Sequence, residues 1–262
     1  MSALKVYTFV TNKPDLIELQ LNSFKRHLKE EFDFIVFNNA AMWDSNKFKD
    51  IQRECKRLNL SVIDIQYDIE LASRCESLGG GPVLLGDSKY QSTNTACGYS
   101  VCWAWENIIS RMGGNALLMH HDMFLIKDVK LTDYLDEHEL VFVPQNRPNV
   151  DLHLWEGFTL ANLNKLPEPG SVNWWCGTVN GMSVDVGGQS YHYFKAHPEV
   201  RWMGLRPVHT EDDPNVDFHP SRYEYIYCGD ERIVLHYRAA SNWMNLSEEY
   251  HEKKTAWLKG QL

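Results

Sequence analysis

The sequence predicts an α/β protein built on a mostly parallel sheet flanked by helices. Three observations carry this. Short apolar runs alternate with helical stripes from the start of the chain. The 262 residues, 44% hydrophobic and 23% charged, are enough for one large core. No apolar run approaches the roughly 18 residues of a membrane span, so no integral membrane segment is expected.

Lys5-Val6-Tyr7-Thr8-Phe9-Val10 reads as a first, buried strand, ended by Thr11-Asn12-Lys13-Pro14. Pro14 suits the first turn of a helix, and Asp15 and Glu18 favour its positive end. Leu16, Ile17, Leu19, Leu21, Phe24 and Leu28 form a helical stripe to about residue 30. Asp33–Phe37 is a second strand, stopped by Asn38-Asn39. Ser45 or Asn46 is expected to cap a helix through Leu58. Ser61–Ile65 is a third strand. This β-α-β-α-β start implies right-handed crossovers.

Residues 71–95 break the pattern. Gly79-Gly80-Gly81-Pro82 cannot be regular structure, and a long loop in a compact domain is functional or mobile. A lid over a bound ligand is expected there. Ser92, Thr93 or Thr95 then caps a helix through Met112, ended by Gly113-Gly114. A fourth strand follows, and Leu140–Val143 is a fifth, closed by Pro144. The remainder is irregular, rich in Trp, Gly, Asn, His and Pro. The nine tryptophans suit either a core or a sugar-binding surface.

The most informative stretch runs from Ala116 to Ile126 through His120-His121-Asp122. Side chains alternate along a strand, so His120 and Asp122 are expected on one face and His121 on the other. A second apolar run, Ile233–Leu235, ends on His236, with Arg238 two residues on. Imidazole and carboxylate at strand ends are metal-ligand chemistry, or polar strand ends with satisfied histidines. Two carboxylates are candidates for general base. Asp185 leads into Gly187-Gly188 and a helical stretch, where it serves as a base or as a helix cap. Glu156 lies between Trp155 and Gly157.

Taken together, these elements resemble a GT-A-fold glycosyltransferase over most of the chain. His120-His121-Asp122 is similar to the family's Asp-x-Asp, with His120 in place of the first aspartate. His236 resembles the C-terminal histidine that many members add as a ligand. The resemblance implies a metal held by His120, Asp122 and His236, with Mn²⁺ favoured over Mg²⁺ because imidazole is among the donors. It implies a nucleotide diphosphate sugar, UDP-linked by the family's habit, and a glycan hydroxyl acceptor. The first strand and its loop, with Thr8, Val10 and Asn12, would touch base and ribose. Asn38 and Asp68 would contact ribose or base, His121 would line the nucleotide site, and Arg238 or Lys89 would meet a phosphate. Asp185, then Glu156, would be the base of an inverting transfer. One domain, 1–262, is expected, with a nucleotide-sugar half (1–130) and an acceptor half (131–262).

The net charge of −9 argues against nucleic acid as partner. The six cysteines form no Cys-x-x-Cys pair, so a structural zinc is not expected, and Cys55 and Cys102 read as buried thiols. Reduced thiols and the lack of a leader-like N-terminus point to the cytoplasm. Two rival functions stand beside transfer: a zinc hydrolase or deacetylase on the same three ligands, and a carbohydrate-binding protein that uses its tryptophans. The absence of Gly-x-Gly-x-x-Gly after the first strand argues against a dinucleotide oxidoreductase.

Overall fold

The computed structural model describes residues 3–86, 92–209, 223–238, 240 and 247–262. The first half follows the sequence pattern closely. Strand β1 (Leu4–Val10), helix α1 (Asp15–His27), β2 (Phe32–Asn38), α2 (Ser45–Arg57) and β3 (Ser61–Asp64) succeed one another. The apolar stripe of α1 buries Leu16, Ile17, Leu21 and Phe24 against the sheet. Helix α2 is capped by Asp44, whose carboxylate accepts from the Asn46 and Lys47 amides, rather than by Ser45 or Asn46.

The stretch read as an irregular loop contains a helix, α3 (Ile69–Ser77). Asp68 caps it by accepting from the Glu70 and Leu71 amides. The glycine run after it is pinned. The Gly79 carbonyl accepts from Trp175 Nε1 at 2.7 Å, and Thr95 Oγ1 donates to the Gly80 carbonyl at 2.8 Å. Gly80 has φ +92°, and a Cβ there would fall 2.9 Å from Cys176 Sγ. Helix α4 (Thr93–Ala104) continues through a π-helical turn, Trp105–Ile109, and ends where Gly113 turns to φ 64°.

Twelve further strands follow α4 among the described residues. The first are β4 (Asn115–His120), β5 (Met123–Leu125), β6 (Leu140–Phe142), β7 (Gln145–Arg147), β8 (Val150–His153) and β9 (Phe158–Asn162). Then come β10 (Gly177–Val179), β11 (Met182–Val184), β12 (Trp202–Gly204), β13 (Arg206–His209), β14 (Glu224–Cys228) and β15 (Glu231–His236). Seven strands make the main sheet in the order β12-β6-β9-β4-β1-β2-β3. Only β9 runs against the others, so the sheet is mostly parallel, as expected. It takes strands from both sides of residue 130. A smaller antiparallel sheet, β13-β14-β15-β5, stands beside it, and β7-β8 and β10-β11 are hairpins. The apparent irregularity of the back half therefore conceals short, paired strands. Four of the tryptophans are core: Trp105, Trp174 and Trp175 are fully buried and Trp43 nearly so. No helix among the described residues is long and apolar enough to cross a membrane.

On β8, His153 is fully buried and neither ring nitrogen has a partner among the described residues. Burial, aided by the charge of Arg147, lowers its pKa to about 4. The neutral ring is thus native, and charging it opposes folding. The stability it contributes is complete above the unfolded-state value near 6.5 and is lost as pH falls through 4, on the order of 3 kcal/mol. Replacing His153 with phenylalanine should flatten the acid limb of a stability–pH curve between those values. Denaturant titrations across that range check it.

Candidate functional site

Strands β2 and β3 lie on one side of β1, and β4 lies on the other. The chain thus reverses its direction of travel across the sheet between β1 and β4. In open α/β sheets the crevice beyond the carboxyl ends at such a switch point is where ligands bind. A cleft of about 810 Å³ opens there. Its floor is Phe9, Thr11 and Asn12 after β1, Asn39 after β2, and His120, His121 and Asp122 after β4. The N-terminal turn of α4 forms one wall with Ser92, Thr93 and Asn94; Trp155, Glu156 and Asp185 form another, and His236 and Arg238 close the third.

His120 is the last residue of β4. Asp122 follows in a turn, not in a continued strand, before β5 joins the smaller sheet. The turn is strapped from below by Gln20 of α1, whose amide donates to the His120 carbonyl at 2.7 Å and the Met123 carbonyl at 2.9 Å. Pairing of β15 with β5 sets His236 opposite Met123. Two histidines and one carboxylate therefore converge: ligand atoms of His120, Asp122 and His236 lie within 4.8 Å of one another. His236 Nε2 is 3.5 Å from Asp122 Oδ1. The Ala240 amide donates to Asp122 Oδ2 at 3.3 Å, which fixes the carboxylate plane. Trp155 packs its ring 5.6 Å from each of the two imidazoles.

Burial works against charge at both Asp122 and His236, yet each secures the other. His236 holds the Asp122 carboxyl well below the usual carboxylate range. Asp122 and Glu224 push the His236 imidazole up to about 9. Two nitrogens and a carboxylate oxygen at this spacing suit a divalent transition cation. Glu224 of β14 supports the fit, accepting from His236 Nδ1 at 2.8 Å and so directing Nε2 toward Asp122. A buried carboxylate behind a ligating histidine fixes its tautomer and raises its basicity. Glu224→Gln should weaken Mn²⁺ affinity by about 10–100-fold with the fold intact. Calorimetric titration of the metal measures this, and unchanged affinity would remove Glu224 from the site.

Glu156 is 4% exposed, with Oε1 3.1 Å from His120 Nε2 and 3.8 Å from Cys97 Sγ. Burial raises its pKa in spite of the bond to His120. Burial also opposes charge on His120, but the Glu156 bond together with the charges of Glu156 and Asp122 outweighs it and raises that pKa as well. Asp185, half-buried at the end of β11, turns one oxygen to its neighbour's amide, Val186, at 2.9 Å. Gly187 makes this corner possible: at φ +87° a Cβ would lie 2.3 Å from the Leu154 carbonyl. Only glycine lets the Asp185 corner pack on the segment that carries Glu156. Four buried polar atoms of cleft residues have no partner among the described residues: Asn12 Oδ1, Asn39 Oδ1, His121 Nε2 and Glu156 Oε2. Buried polar atoms are ordinarily satisfied, so a cleft lined with unsatisfied ones is built for a polar ligand.

Of the residues singled out in the sequence, Asn12, His120, His121, Asp122, Glu156, Asp185, His236 and Arg238 line this cleft. Four do not. The Thr8 hydroxyl is buried and donates to Gln20 Oε1 at 2.8 Å, so it holds the strap rather than a nucleotide. Val10 is core. Asn38 is buried and donates to the Phe48 carbonyl and to Asp64 Oδ1. Asp68 is spent as the cap of α3. Their neighbours Thr11 and Asn39 reach the cleft instead. Lys89 lies outside the described residues. Gln20 and Glu224 carried no sequence signal, since each acts through a partner far away in the chain.

No family model and no curated protein matches the sequence. Solved structures do. A mannosyltransferase from Pyrobaculum calidifontis, in complex with GDP-Man and Mn²⁺, matches at 11% identity and a TM-score of 0.41, over 77% of this chain and 54% of that one. Mouse xyloside xylosyltransferase 1 in its apo form matches at 10% identity and 0.44, over 78% and 85%. Glucosyl-3-phosphoglycerate synthase from Mycobacterium tuberculosis, with phosphoglyceric acid, matches at 14% identity and 0.36, over 63% and 58%. This chain thus spans little more than half of the first and third of these proteins. The likeness is one of framework alone, a mostly parallel sheet between helices.

Proposed function

We propose that this protein is a divalent-metal-dependent glycosyltransferase that moves a sugar from a nucleoside diphosphate sugar to a glycan hydroxyl, with inversion. UDP is the proposed carrier and Mn²⁺ the proposed ion. One observation carries the reading: His120, Asp122 and His236 converge at the switch-point cleft, whose other walls present an unspent carboxylate and unsatisfied polar atoms. In this reading His120, Asp122 and His236 hold the cation. When bound, it offsets the negative charge that grows on the departing diphosphate. Asn12, His121 and Asn39 offer the nucleotide their free polar atoms, and Arg238 faces a phosphate. Trp155 keeps water from the imidazoles. Asp185 accepts the proton of the acceptor hydroxyl, and Glu156 orients His120.

A thermal-shift panel of nucleotides and sugar nucleotides, with and without Mn²⁺, tests this. A ligand that binds only the folded chain raises its apparent stability. A shift with UDP or a UDP-sugar that requires Mn²⁺ is the expected result. A protein that retains zinc, shows no shift with any nucleotide and hydrolyses an acetylated sugar would instead be the zinc hydrolase that the same three ligands would serve.

A further inference from the structure

The cleft holds a second group of ligand-type side chains, which shares His120 with the first. Cys97 comes from the second turn of α4, His120 from the end of β4 and Glu156 from the loop before β9. Their ligand atoms also lie within 4.8 Å of one another. The three residues come from separate elements and meet at one point on the cleft wall. Glu156 Oε1 already touches both others, while its second oxygen, Oε2, is buried and unpartnered among the described residues. A carboxylate so placed has a vacant acceptor for a cation beside the thiol.

We propose that Cys97, His120 and Glu156 form a second cation site, selective for thiophilic divalent ions of the zinc and cadmium type. Thiolate, imidazole and carboxylate make a softer donor set than the two imidazoles and one carboxylate next door, and thiolates select zinc-like ions over Mn²⁺ and Mg²⁺. Occupancy exchanges protons for metal: the Cys97 thiol releases its proton to solvent as the sulfur–metal bond forms, with no change of oxidation state. His120 belongs to both groups. A soft cation on Cys97 and Glu156 therefore draws His120 away from Asp122 and His236, and zinc antagonises Mn²⁺. That antagonism, unlike the binding itself, rests on the metal-dependent reading of the first cluster.

Cadmium titration of metal-free protein, without nucleotide, tests the site through the ultraviolet charge-transfer band of a cadmium thiolate. Wild type should show the band at one equivalent, Cys97→Ser should lose it, and Asp122→Asn should keep it. Glu156→Gln keeps the size and a bond to His120, and should weaken cadmium by more than the roughly 10–100-fold that outer-shell changes cost. Full band intensity in Cys97→Ser overturns the proposal. So does cadmium binding lost in Asp122→Asn but kept in Cys97→Ser, for the ion would then occupy the first cluster. Zinc-edge X-ray absorption of wild type with one equivalent serves if Cys97→Ser does not fold. One sulfur at about 2.3 Å supports the site, and nitrogen and oxygen neighbours alone overturn it. If cadmium binds as described but zinc leaves Mn²⁺-dependent nucleotide binding untouched, the site stands and the antagonism falls.

Discussion

Asp122→Asn is expected to abolish Mn²⁺-dependent nucleotide binding while the protein stays folded. Asp122 is the only carboxylate in its cluster, and it is 5% exposed. Its charge is secured by His236 at 3.5 Å. Asparagine keeps the shape and can still accept from the Ala240 amide, so the turn that Gln20 straps should survive. What is lost is the only negative charge among the three ligand-type side chains of the cluster. Since outer-shell substitutions cost about 10–100-fold in metal affinity, losing the sole anionic ligand should cost at least the upper end of that range. Calorimetry with Mn²⁺ and nucleotide reads the binding, and circular dichroism reads the fold. A variant that binds both as wild type does would remove Asp122 from the site.

Asp185→Asn should give the opposite separation: donor and metal bound, transfer lost. A hydroxyl is a weak nucleophile at neutral pH, and a positioned base contributes about 10²–10⁴-fold. Asp185 lines the cleft at a corner that only Gly187 permits. The helix that follows, Ser190–Ala196, has Gln189 at its cap position, which removes the alternative of Asp185 as a helix cap. The amide retains size and the bond to Val186, so the loss should appear in kcat with donor affinity near normal. Transfer at the wild-type rate would move the base to Glu156. Failure to bind donor would give Asp185 a donor contact instead.

The fold was legible where one element announces itself over several residues. The alternation of apolar run and helical stripe placed β1, α1, β2, α2 and β3 within a few residues, because each buries its own stripe. Helix α3 was hidden because its cap, Asp68, looks like any turn aspartate and a glycine run follows at once. The short strands β10 to β13 offer three or four residues apiece, too few for a period to show. At the site, the spacing of His120 and Asp122 pointed to two residues that do share the cleft, though by another route than the one expected. Strand alternation was expected to align them, whereas a turn held by Gln20 brings Asp122 round. Thr8, Val10 and Asn38 show the limit from the other side. Thr8 and Asn38 sit one position before a residue that lines the cleft and Val10 sits between two that do, and one residue along a strand is the difference between a buried face and an open one.

The pairing of β5 with β15 has a temporal meaning. β5 is three residues long and is made midway through the chain, while its partner is among the last strands synthesised. Asp122 and His120 are in hand long before His236 exists beside them. Contacts between distant parts of a chain form slowly, because the loop between them must first be closed. Under the proposed reading, a chain truncated before β15 would keep the strands of the main sheet but lack His236, the third member of the cluster.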